Sequence, residues 1–212
     1  MDKEDLQKYL QKSKDMDALW CVGNDVLYDM CRKYPAHKDA TEVVAKLFLI
    51  GRSYAAAIER TKNDNIYEKK IPKMVMDNGK EIDVALNKCK SSDLAQIFST
   101  YDLVLKCFNK VSGKWNKSLA SKYLHFHQPE NFYLIDSRAK KGISVVLEAL
   151  SLNSRIKEQE MTDFSVSKES KEYVIFYLKC QKCVSELEEL FKSKFSTRDF
   201  DNLLLTIADS IK

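Results

Sequence analysis

Apolar residues return at intervals of three and four along almost the whole chain, the spacing that places them on one face of an α-helix. Val44, Leu47, Phe48, Gly51, Ala55 and Ile58 form one such stripe. Leu94, Ile97, Phe98, Tyr101, Val104, Leu105 and Phe108 form a second, and Ile143, Val146, Leu147 and Leu150 a third. A fourth runs from Tyr173 through Phe176, Tyr177, Cys180, Val184 and Leu187 to Phe191. The last, Phe200, Leu203, Leu204, Ile207 and Ile211, follows a capping residue at Ser196 or Thr197. No segment keeps the two-residue alternation of a half-buried strand. Breaks are expected near Tyr34-Pro35, Lys62–Asn65, Asp77–Gly79, Ser91-Ser92, Ser112-Gly113 and Gln128-Pro129, and over the polar stretch Ser151–Ser167. Asn78-Gly79 is either a hairpin turn or a gap between two helices. The pattern predicts an all-α fold of eight or nine helices.

Composition supports that picture. The chain has 212 residues, room for one domain over 1–212, in one body or as two helical lobes sharing a cleft. Five glycines and three prolines leave few tight turns, which favours helices over a sandwich. A formal charge of +4 permits a phosphate-bearing partner without requiring one. The charged start, Met1 to Asp5, has no apolar core of a signal peptide, and no apolar run reaches the length of a membrane span. Six cysteines without an export signal are expected as reduced thiols in a cytoplasmic protein, with no membrane partner.

Residues 104–141 carry the chemistry. A helix ends at Ser112-Gly113, and a short turn follows through Lys114, Trp115 and Asn116. A second helix begins near Lys117 and runs to about His127, where Pro129 forbids its continuation. Next come the apolar residues Phe132-Tyr133-Leu134-Ile135 and then Asp136, placed to cap another helix. Lys117 therefore sits in the positive field of a helix start, which disfavours an ammonium and favours the free amine of a nucleophile. Asp136 is expected to be fixed in place by the helix start it caps.

This segment resembles the 8-oxoguanine DNA glycosylases of the helix-hairpin-helix superfamily. In that family a catalytic Lys follows the hairpin glycines, and a catalytic Asp follows a short apolar run. Lys117 and Asp136 match these positions nineteen residues apart, with the small residues Ser118, Ala120 and Ser121 after the Lys and Gly113 at the first hairpin glycine. Trp115 stands where the second glycine falls, and Ser112 where a proline precedes the first. The hairpin glycines bring backbone N–H groups against a DNA phosphate. Their partial loss leaves substrates other than duplex DNA open. The resemblance covers about forty residues, and the chain's size is that of the compact prokaryotic members, including stand-alone forms beside anti-phage CBASS operons. It implies a DNA N-glycosylase of base-excision type that excises an oxidised or modified guanine. Lys117 would attack the sugar C1′, and Asp136 would steady the cationic sugar. The Schiff base would be open to β-elimination, a bifunctional glycosylase and lyase with no cofactor and no metal.

Other residues carry both a functional and a structural reading. His125 and His127 close the Lys117 helix, as substrate ligands or as partners of the helix dipole. Arg138 reaches a phosphate or is a solvated first-turn residue. Arg52 and Arg60 flank a close-packed face with Tyr54 between them, as a base or phosphate pocket or simply as a packed helix. Asn24, after Gly23, reads a base edge or marks a helix kink. Cys180 and Cys183 form a CxxC on an apolar helix, but zinc requires two further ligands, with His125 and His127 as the conceivable complement. No phosphate-binding loop, dinucleotide fingerprint, serine-hydrolase elbow or HExxH motif is present.

Three functions are consistent with these residues: a glycosylase on DNA, a glycosidase acting on nucleotides in antiviral defence beside an operon-encoded protein partner, and a non-catalytic helical module that binds nucleic acid or nucleotide.

Overall fold

The computed structural model describes residues 3–59, 65–152 and 164–211. Arg60, the Lys62 break and most of the polar stretch before Ser167 lie outside the described residues. Among those described there is no strand. Among the described residues eight α-helices follow one another: α1 (Lys3–Lys33), α2 (Ala40–Ser53), α3 (Ile71–Lys88), α4 (Leu94–Ser112), α5 (Lys117–His127), α6 (Ser137–Ala149), α7 (Lys171–Phe191) and α8 (Thr197–Ser210). A π-helical turn over Ile66–Lys70 leads into α3, and a 3-10 turn over Lys168–Ser170 leads into α7. No described helix is long and apolar enough to cross a membrane.

Local chemistry sets most of the boundaries. The Asp39 and Asp93 carboxylates accept the Thr41 and Gln96 N–H groups and start α2 and α4. Gly113 ends α4 in the left-handed region, at φ 74°, where its missing Cβ removes the steric penalty. At α8, Ser196 and Asp199 close a reciprocal capping box.

Two expectations are corrected. The Asp77–Gly79 hairpin or break is absent, and α3 runs through it. The glycine is there for packing: a Cβ on Gly79 would stand 2.1 Å from the His37 carbonyl oxygen. The stripe from Val44 to Ile58 is not one helix, because α2 stops at Ser53 and Ala55 turns the chain with φ 50°. Gly51 lets that return segment approach to 3.0 Å, measured from its would-be Cβ to the Ala57 Cα. At Gly23-Asn24, α1 continues without ending.

Buried side chains of all eight helices join in one apolar cluster. Tyr101, Tyr123, Tyr173 and Tyr177 are among its largest members, and Tyr101 stacks on Tyr173 at 3.7 Å. Helices α6 and α8 pack closely at Gly142, where a Cβ would meet the Leu204 carbonyl oxygen at 2.2 Å. This contact holds the start of α6, and with it Asp136, against the C-terminal helix.

Candidate functional site

The starts of α5 and α6 open onto one cleft of about 460 Å³. Lys117 is the first residue of α5, and Asp136 is the N-cap of α6. Both line this cleft, together with Tyr54 and Ala55 from the turn after α2, Ser118 and Lys122 of α5, Ser137, Arg138 and Lys140 of α6, and Glu172 of α7. Four cations thus face two carboxylates, a balance that favours an anionic ligand.

The carboxylates hold the lysines in place. Lys117 Nζ donates to Glu172 Oε2 at 2.6 Å, and Lys140 Nζ donates to Oε1 of the same carboxylate at 2.7 Å. Those two bonds lower the Glu172 pKa and keep it ionised. Asp136 is bound differently. Its Oδ1 accepts the Ala139 N–H at 2.9 Å, and its Oδ2 accepts Lys122 Nζ at 2.9 Å. Burial pushes the Asp136 carboxyl up, but the Lys122 charge and the backbone donors outweigh it, so it stays below the ordinary carboxylate range.

Lys122 is the residue that sequence reading missed. Its side chain is only 2% exposed, and it donates to Ser118 Oγ at 2.7 Å as well as to Asp136. Ser118 and Lys122 stand four apart on α5, so a helical spacing argument could have paired them. Glu172 lies far along the chain on a different helix, and no local pattern points to it.

Behind Lys122 sits a further layer. Arg198 and Asp201 of α8 form an ion pair at 3.4 Å, and Arg198 lies over the Tyr54 ring, 5.8 Å from its centroid. Asp201 is pushed up to about 6, by burial first and by Asp136 as well, against the pull of Arg198 and Lys122. Tyr54 OH donates to Asn24 Oδ1 at 2.6 Å, which ties the cleft wall to α1.

Several other expected site residues stand elsewhere. Asn24 is buried behind Tyr54 and does not line the cleft. Arg52 pairs with Glu59 and covers the Phe48 ring. Arg138 does line the cleft, but its guanidinium forms a two-pronged pair with Asp209. His125 is in the core: its Nδ1–H donates to the Phe132 carbonyl at 2.9 Å, which leaves Nε2 to accept from Tyr28 OH at 2.6 Å. His127 is also inside, stacked on His37 at 5.2 Å. Both histidines face the interior rather than the cleft, because α5 is buried on nearly every side beyond its first turn. Gly113 and Trp115 lie in the α4–α5 turn, and Trp115 borders a different depression.

Cys180 and Cys183 are buried thiols on α7. Among the described residues, no group of three or more His, Cys, Asp or Glu side chains could hold a metal ion. No family model, curated protein or solved structure matches this chain.

Proposed function

We propose that the protein is an N-glycosylase of the helix-hairpin-helix kind, acting on a modified guanine-type base through a lysine Schiff base. The observation that carries this reading is the joint placement of Lys117 and Asp136 at two helix starts that open onto one cation-rich cleft. The volume of that cleft suits a single extruded nucleotide.

In this reading, the Lys117 amine attacks C1′ as the bond from C1′ to the base breaks. The bonding electron pair leaves with the base, which takes up a proton. Glu172, hydrogen-bonded to Lys117 Nζ, is the acceptor at hand for the ammonium proton that must leave first. Asp136, held ionised by Lys122, stabilises positive charge on the sugar. Opening of the sugar ring then gives the Schiff base, which water resolves or β-elimination consumes. In this reading the phosphates would be met by Arg138 and Lys140, which line the cleft and are otherwise paired with Asp209 and Glu172.

Borohydride trapping tests this. The intact protein is incubated with 8-oxoguanine DNA, abasic DNA and free guanine nucleotides, and adducts are read by intact mass. Adduct from the parent chain and from Lys122→Met, but not from Lys117→Gln, is the expected result. Adduct lost in Lys122→Met and kept in Lys117→Gln would move the nucleophile to Lys122. No adduct with any substrate would favour the non-catalytic binding module.

A further inference from the structure

The α4–α5 turn also borders a second surface depression, lined by residues other than those of the cleft. Trp115 is 41% exposed and borders a depression of about 530 Å³. Its other walls come from α3 and α4: Asn78, Glu81, Ser99, Leu103, Asn109 and Lys110, with the Asp102–Lys106 pair. The Asp102 charge is already taken up. Its Oδ1 accepts from the Ser167 N–H and from Ser170 Oγ, and Lys106 Nζ reaches its Oδ2 at 2.6 Å. The remaining polar lining is mainly amides and a hydroxyl, with one lysine against one glutamate. A neutral lining of hydrogen-bonding groups beside an aromatic face suits a nucleobase better than a phosphate.

The turn's backbone points the same way. A hairpin that grips duplex DNA does so with free N–H groups aimed at a phosphate. Here those groups are largely spent inside the protein. The Gly113 N–H donates to the Asn109 carbonyl at 2.7 Å, and the Lys114 N–H donates to Ser112 Oγ at 3.2 Å. The Asn116 and Lys117 N–H groups donate to the carbonyls of Lys114 and Trp115 at 3.0 and 2.9 Å. Asn116 Nδ2 also binds Ser112 Oγ, at 2.7 Å, so this serine ties the turn shut. What the turn offers a ligand is therefore side chains: the Trp115 indole and the exposed Lys114.

We infer that Trp115 is a stacking platform for an unpaired base, and that the protein takes single-stranded nucleic acid across the α4–α5 turn rather than gripping a duplex. Trp115 lies two residues before Lys117, at most roughly 7 Å along the chain. A base stacked on the indole belongs to a nucleotide neighbouring the one whose sugar enters the Lys117 cleft. This inference rests on the reading of that cleft as a nucleotide site, and its test is separable from that reading.

The sequence holds two tryptophans, Trp20 and Trp115, so a Trp20→Phe background reports Trp115 fluorescence alone. The probes are a short single-stranded oligothymidylate, the same strand in a duplex, and an abasic oligomer with phosphates but no bases. Quenching by the single strand, with little by the duplex or the abasic oligomer, is the expected result. In the parent background, Trp115→Ala weakens single-strand binding about ten- to a hundred-fold by anisotropy, and Trp115→Phe retains most of it. Equal quenching by duplex or by the abasic oligomer would overturn the inference, as would Trp115→Ala binding the strand as tightly as the parent. Lys117→Gln is expected to quench normally while forming no borohydride adduct. If single-strand binding through Trp115 holds but the parent gives no adduct, the platform stands and the glycosylase reading falls.

Discussion

Two clusters of ionisable side chains lie on either side of α5, and they differ in a way that decides which could do chemistry. On one side is the cleft of Lys117, Lys122, Asp136 and Glu172, where each charge has an opposite partner and the groups reach open space. On the other is a sealed cluster. His37 Nδ1 binds Asp83 at 2.7 Å, His37 Nε2 meets Tyr123 OH at 2.8 Å, and His127 stacks on His37. Lys46, fully buried, donates to the Tyr34 carbonyl at 2.7 Å beyond the end of α1. The sealed cluster has the larger shifts: burial first, and Lys46 second, lower His37 to about 4, and burial lowers Lys46 to about 8. A strongly shifted group is thus no mark of a functional site by itself. Shift combined with access is the better guide, and of these two clusters only the cleft combines charged groups with access.

The sharpest way to break this comparison is Lys117→Gln. In the open cleft it should remove adduct formation entirely, while thermal unfolding shows the fold intact. Lys46→Met, in the sealed cluster, should do the reverse: it lowers stability by roughly 2 kcal/mol, through carbonyls left without a donor, and leaves the adduct in place. If Lys46→Met abolished the adduct in a folded protein, the division between the two clusters would fail.

Acid should act next most strongly, and through the buried histidines. Unfolded histidine titrates near 6.5, whereas His37 is lowered to about 4 and His125, also by burial, to about 3. Above pH 6.5 both are neutral in either state and cost nothing. As pH falls below 6.5 the unfolded chain takes up protons that the folded one refuses, so stability drops until the folded values are reached. His37 accounts for a loss of about 3 kcal/mol, with His125 and His127 adding to it. Asp201 opposes this, because its raised carboxyl binds a proton from about pH 6 downward while the unfolded group waits until about 4. Denaturant unfolding at pH 7 and pH 4.5 should show a clear net loss, made deeper by Asp201→Asn. Unchanged midpoints would mean the sealed cluster is open to water.

Lys122→Met sharpens the cleft side. It strands Asp136, whose side chain is 29% exposed, so the cost should fall to roughly 2 kcal/mol, below the ~3–5 kcal/mol of a fully buried pair. The Asp136 carboxyl should then titrate higher, readable by NMR. No change in that titration would show that Lys122 is not what holds it.

The smallest effects concern glycines of the same kind in unlike settings. Gly79→Ala drives a methyl into the His37 carbonyl and should destabilise by about 1–3 kcal/mol. Gly23→Ala, on α1 with nothing within 4 Å, should stabilise by up to roughly 1 kcal/mol through helix propensity. Equal melting shifts for the two would contradict the close approach at His37.

How much of this was legible in the sequence depends on how local each cause is. The ends of α4 and α5 and the start of α6 were legible because Ser112-Gly113, Pro129 and Asp136 act on their own neighbours through φ, a missing N–H and a capping bond. All-helical character followed from apolar spacing for the same reason. Asn78-Gly79 misled because the glycine serves a contact with His37, some forty residues away, and a turn signal and a packing glycine look alike in one dimension. His125 and His127 looked available at a helix end until neighbouring elements covered it.

The sequence alone determined where α5 and α6 begin, since capping and backbone preference need only a few adjacent residues. That put Lys117 and Asp136 at helix starts. Only the tertiary structure decided the partners: Glu172 for Lys117, Lys122 for Asp136, and a separate depression for Trp115. Charge pairing and burial depend on distances in space between segments far apart along the chain, and no local rule fixes those.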